Sequence, residues 1–187
     1  MARTPSTMLP LGTKAPTFEL PDTVSGNPLS LDKLKGENGT VIMFICNHCP
    51  FVKHVNPELV RLARDYQDKG IGFIAISSND VENYPQDHPD KMRETAAREG
   101  YPFPYLYDAS QAVARNYKAA CTPDFYLFGP ELKLKYRGQL DSSRPGNEIP
   151  VTGEDLRNAL ECLLDGRPVP PEQKPSLGCN IKWKENS

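Results

Sequence analysis

The feature that most constrains this chain is an apolar run that ends in a pair of thiols. Residues 41–46, Val-Ile-Met-Phe-Ile-Cys, carry no charged or hydroxyl side chain and show no alternation. A strand with one wet face alternates with period two, whereas a run apolar on both faces suits a central strand covered by helices. The run passes at once into Cys46-Asn47-His48-Cys49-Pro50, after which Leu59, Leu62, Ala63 and Tyr66 take up helical spacing. The two thiols therefore lie where a buried strand hands over to a helix. Residues 71–76, Ile-Gly-Phe-Ile-Ala-Ile, form a second buried-type strand.

The rest of the chain is punctuated by proline and glycine. Residues 15–22 read as extended because Pro16 and Pro21 push their predecessors out of the helical region. A turn is predicted at 25–28 and a helical turn at 29–34, ending at Gly36. The helix after the dithiol runs to Lys69 and is closed by Gly70; Asn56-Pro57 resembles a helix start. That segment is either one helix kinked at Pro57 or a short turn followed by a fresh helix. Residues 81–89 read as an inserted polar loop, 90–99 and 110–117 as helices, and 125–128 with 132–137 as a hairpin. A loop at 141–150 precedes a helix at 152–164, and four prolines in 167–175 mark an extended tail. This order predicts an α/β fold: a mixed central sheet with helices on both faces, an N-terminal extension and a C-terminal tail. One domain spanning 1–187 is expected, with its core at about 11–164 and the tail at 165–187.

Twenty-two Lys and Arg against 24 Asp and Glu give a formal net charge of −2. No positive field exists to draw in nucleic acid or an anionic membrane. The run at 41–46 is far too short to span a bilayer, and residues 1–12 lack the apolar stretch of a secretory signal. Five cysteines, an odd number at 46, 49, 121, 162 and 179, argue against a secreted disulfide framework. A cytoplasmic setting is the expectation.

Two thiols at the Cys46/Cys49 spacing can close a small disulfide. The unpaired amides of the helix start favour a thiolate on Cys46, expected as the exposed first thiol, and a His48 imidazolium works in the same direction. Cys46 then attacks a substrate disulfide, and Cys49 attacks Cys46 to release the reduced product. The alternatives are inert burial or part of a zinc site, which would have to recruit Cys121, Cys179 or a histidine from far along the chain.

A second element lies at Cys121-Thr122-Pro123, just before a strand. Together with the lead segment Gly12-Thr13-Lys14-Ala15-Pro16-Thr17-Phe18-Glu19-Leu20-Pro21, these residues make the chain resemble the thioredoxin superfamily. Within it, the resemblance is to the redoxin branch of alkyl hydroperoxide reductases and thiol-specific antioxidant proteins. Cys46-Asn47-His48-Cys49-Pro50-Phe51-Val52-Lys53 and the ending Gly-Cys-Asn-Ile-Lys-Trp-Lys are similar to bacterial thioredoxin-like thiol-disulfide isomerases. The resemblance implies a cis peptide at Thr122-Pro123 facing the dithiol, with the Thr122 backbone binding substrate peptide. Asn47 and Pro50 complete the substrate-binding set that it implies. It also marks two departures. Met43 and Gly39 stand where peroxiredoxins carry a threonine and a proline, which counts against efficient peroxide reduction. No acid lies in 41–45 to serve as the proton acceptor that thioredoxins bury, leaving His48 or a loop acid (Asp80, Glu82 or Asp87).

The expected function is thiol-disulfide exchange with disulfide-bearing proteins or small thiols. Cys46 and Cys49 are catalytic and His48 tunes them. An external thiol is the reductant, and no metal or cofactor is needed beyond the redox-active disulfide. Because His48 should stabilise the reduced thiolate, a potential above that of thioredoxin, about −270 mV, is expected. The rivals are a thiol peroxidase and a non-catalytic redox-sensing module. Cys121 and Cys179 are candidate accessory thiols. The plainer role is a small buried hydrophobe for Cys121, and for Cys179 a tail docked through Ile181 and Trp183. Cys162 reads as core, and His54 and His88 as surface or capping residues.

Overall fold

A computed structural model describes residues 3–185; the outermost two residues of the 1–12 and 165–187 segments lie outside the described residues. The strands are β1 (Arg3–Pro5), β2 (Glu19–Pro21), β3 (Pro28–Ser30), β4 (Gly39–Phe44), β5 (Ile71–Ser77), β6 (Tyr105–Tyr107), β7 (Cys121–Thr122), β8 (Asp124–Phe128), β9 (Leu134–Gly138) and β10 (Leu177–Asn180). The helices are α1 (Leu31–Leu34), α2 (Pro50–Gln67), α3 (Pro89–Glu99), α4 (Ala112–Asn116) and α5 (Glu154–Leu164), with a 3-10 turn at Pro85–Asp87.

The apolar run becomes β4, the centre of a five-stranded sheet in the order β6-β5-β4-β8-β9. β4 and β5 pair in parallel, as do β5 and β6, while β8 runs antiparallel to both β4 and β9. Every residue of β4 is buried. Val41 and Met43 face a core shared with Val52, Leu59 and Leu62 of α2 and Leu156 and Leu160 of α5. Ile42 and Phe44 face the other layer, with Leu31 of α1 and Val113 and Ala114 of α4. The lack of alternation in the sequence is thus the signature of a strand covered on both sides.

α2 is one helix that runs through Pro57. Asn56 does not start a fresh helix; it is buried, and its side-chain oxygen accepts from the Tyr101 hydroxyl at 2.7 Å. Continuous packing of Val52, Val55 and Leu59 on the sheet carries the helix across the proline. The loop at 81–89 contains the 3-10 turn. Across the β8–β9 pair, Arg137 and Asp124, both fully buried, form an ion pair at 2.9 Å.

The tail differs most from expectation. It is extended through its proline-rich part, then enters a small sheet of order β1-β10-β7. Within it, Cys179 lies opposite both Arg3 and Thr122. Backbone bonds continue the docking: Ile181 N–H donates to Ala120 at 3.1 Å, and Asp80 N–H to the Lys182 carbonyl at 2.8 Å.

Candidate active site

Cys46 follows β4, and Cys49 is the N-cap of α2, with Pro50 in the first turn, where its missing N–H leaves nothing unpaired. Across from the two thiols the Thr122–Pro123 peptide is cis. Thr122 Oγ1 lies 3.4 Å from Cys46 Sγ, and the Thr122 carbonyl 3.2 Å from Cys49 Sγ.

The expected exposure of Cys46 is corrected: it is 2% exposed and Cys49 is fully buried. The Thr122 backbone, expected to be free for substrate, is paired with β10, which also packs against α2. The approach is very close. A Cβ on Gly178 would lie 2.0 Å from the Thr122 carbonyl oxygen, so only glycine fits there. The register sets the Cys179 thiol 2.8 Å from Cys49 Sγ. Three cysteines, not two, share the site.

Against the expectation of a thiolate on Cys46, the surroundings favour the charge on Cys49. The bond that Cys46 makes to Cys49, burial, and the Asp87 carboxylate all push the Cys46 thiol well up. Cys49 is lowered to about 5, because the Cys46 thiol donates to it, followed by the Cys179 thiol and the Val52 amide. The Thr122 carbonyl opposes a thiolate there, since that contact is a hydrogen bond only in the thiol form, but several donors outweigh one acceptor. Burial and the bond to Cys49 push Cys179 up to about 12. These shifts favour a thiolate on Cys49, at the helix tip, over one on Cys46 or Cys179.

Behind Cys46 the inserted loop supplies the acid missing from β4. Fully buried Asp87 accepts from the Asn47 backbone amide at 2.8 Å and from the Asn79 side chain at 2.8 Å, and contacts His48 Nδ1 at 2.6 Å. Burial pushes its carboxyl up, yet the bonds from His48, Asn79 and the Asn47 amide hold it below the usual range. His48 stacks on Tyr84 with ring centroids 5.8 Å apart, and its Nδ1 is turned to Asp87. Ligand atoms of Cys46, His48 and Asp87 lie within 4.8 Å of one another, but both Asp87 oxygens already accept hydrogen bonds from the scaffold. Asn47, expected at the substrate surface, instead ties β6 to the loop: its side chain accepts from the Tyr105 hydroxyl and donates to the Gln86 carbonyl.

The other singled-out residues fall around this centre. Pro50 is exposed at its edge. Cys121 is buried, and burial raises its thiol far above the usual range. Cys162 lies on the buried face of α5. His54 contacts the Ser143 hydroxyl at 2.7 Å, and His88 caps α3. Asp80 accepts from the Glu82 amide and the Asn83 side chain, and Glu82 is exposed. Ile181 is buried, as expected of a docking residue, whereas Trp183 is 37% exposed and stacks with Arg115.

A buried central strand, thiols at the start of the following helix and a prolyl loop across from them define a thioredoxin-like protein. Solved structures agree. The chain superposes with a TM-score of 0.64 on the thioredoxin domain of a thiol-disulfide oxidoreductase from Bacteroides vulgatus, at 21% identity over 84% of this chain and 99% of that one. Residues 11–137 match the AhpC/TSA family, and the chain belongs to it. It is 26% identical over 109 residues to the thiol-disulfide oxidoreductase YkuV of Bacillus subtilis (strain 168), covering 56% of this chain and 69% of that protein. It is also 60% identical to an uncharacterized conserved protein from Geobacillus kaustophilus, with a TM-score of 0.98 over 100% of this chain and 99% of that one.

Proposed function

We propose that the protein is a thiol-disulfide oxidoreductase in which Cys46 and Cys49 exchange a disulfide with protein or small-molecule substrates. The observation that carries this reading is the pair of thiols at the start of α2 set against one residue, with Thr122 Oγ1 3.4 Å from Cys46 Sγ and the Thr122 carbonyl 3.2 Å from Cys49 Sγ, beside the cis Thr122–Pro123 peptide. With the Cys46 thiol pushed up and Cys49 lowered, Cys49 takes the Cys46 proton as Cys46 attacks the substrate disulfide. The Cys46–substrate bond forms, the substrate S–S bond breaks, and the first substrate sulfur leaves as a thiolate that takes a proton from solvent. Cys49 then attacks Cys46, gives up its proton to the second leaving sulfur, and closes the Cys46–Cys49 disulfide. Two electrons and one proton pass from the dithiol to the substrate, the second proton comes from solvent, and an external thiol returns the electrons. The reading needs no organic cofactor or metal, and we place it in the cytoplasm on the odd cysteine count.

The test is reduction of a protein disulfide with dithiothreitol as electron source. Cys46→Ser should fall to the uncatalysed rate, and an unchanged rate in that variant would refute the proposal. The potential should still lie above about −270 mV, with Cys49 rather than His48 stabilising the reduced form.

A further inference from the structure

Resting on that reading, we propose that Cys179 is a third redox thiol, which takes over Cys49 as its disulfide partner and sets Cys46 free. Three observations place it there. Its sulfur lies 2.8 Å from Cys49 Sγ. Its position is held from both sides, because Cys179 is opposite Thr122 on one neighbouring strand and Arg3 on the other. Gly178 admits β10 to within a Cβ-excluding distance of the Thr122 carbonyl. Past the site, the tail is tied down again by Lys182, whose amide donates to the Asn79 side chain at 2.9 Å and whose carbonyl accepts from Gln111 at 2.9 Å. A sulfur fixed this way is a resident reactant rather than the tip of a swinging arm.

The exchange balances internally. Cys179 attacks Cys49 of the Cys46–Cys49 disulfide; the Cys49–Cys179 bond forms, the Cys46–Cys49 bond breaks, and Cys46 leaves as a thiolate that collects the proton Cys179 gives up. No electrons enter or leave. The oxidised protein then keeps a free thiol at Cys46, able to form a mixed disulfide with a further substrate. The tail strand thereby fills the edge beside the prolyl loop in the manner of a substrate strand, with its own cysteine in the substrate's place.

The experiment is oxidation of the intact protein with oxidised glutathione, acid quench, alkylation and non-reducing peptide mass spectrometry. A cross-link joining the tryptic peptide of Cys179 to that of Cys46 and Cys49 is expected. It should persist in Cys46→Ser, vanish in Cys49→Ser, and lower alkylation of Cys179 about tenfold. Gly178→Ala, which touches no thiol, should weaken this cross-link while leaving the Cys46–Cys49 disulfide. If Cys46 and Cys49 pair while Cys179 stays fully alkylated, the inference fails and the oxidoreductase reading stands. If none of the three pairs, both fail.

Discussion

Asp87 carries more of the site than any residue apart from the cysteines. It holds the Asn47 amide, the Asn79 side chain and the His48 ring at once, and its charge adds to the upward pressure on the Cys46 thiol. Asp87→Asn removes that charge, so the Cys46 thiolate becomes less disfavoured. The pH at which Cys46 is half alkylated should move down, and peptide-resolved alkylation rates against pH check it; a profile that stays put or moves up would contradict the assignment. Since the folded carboxyl lies below its ordinary value, its contribution to stability is present above that value. It is lost only as pH falls through the folded value, in the acid range, and leaves neutral pH untouched. The two cysteines of the motif were legible from spacing alone, because a strand-to-helix junction brings such residues together locally. The choice of Asp87 among three loop acids was not. Side-chain direction in this irregular loop is set largely by Asn47 and His48, 40 and 39 positions away, which no local pattern encodes.

Between elements, the clearest energetic commitment is the Arg137–Asp124 pair joining β9 to β8. Burial pushes the Asp124 carboxyl up, and Arg137 opposes that shift while stacking over the Tyr126 ring at 4.5 Å. Arg137→Met keeps the volume and strands the acid. It should cost about 3–5 kcal/mol in urea unfolding, whereas the double replacement with Asp124→Leu should recover most of the loss. A loss under about 1 kcal/mol would mean that the pair is not desolvated as described. β4, β5 and α5 could be read from the sequence because apolar runs and helical spacing are local signals. β6 and β10 could not: three or four residues, each made a strand by a partner distant in the chain. Leu-Gly-Cys-Asn in particular has little strand preference of its own.

For the molecule as a whole, the tail is part of the fold. A chain ending at Pro175 loses β10, the buried Ile181 side chain and the Lys182 bonds to Asn79 and Gln111. Burying one isoleucine contributes about 1.5–3 kcal/mol, so the truncated protein should lose at least that much unfolding free energy and unfold at lower urea concentration. Its five-stranded sheet, to which the tail contributes no strand, should persist, as far-ultraviolet circular dichroism would report. An unchanged midpoint would show that the docked tail adds nothing to the fold. The small sheet has a practical consequence for handling the protein. Because Arg3 pairs directly across from Cys179, the start of β1 lies beside the cysteine cluster, and a group attached close to Arg3 would crowd it. Preparations that differ only in their tags will therefore differ in apparent thiol chemistry.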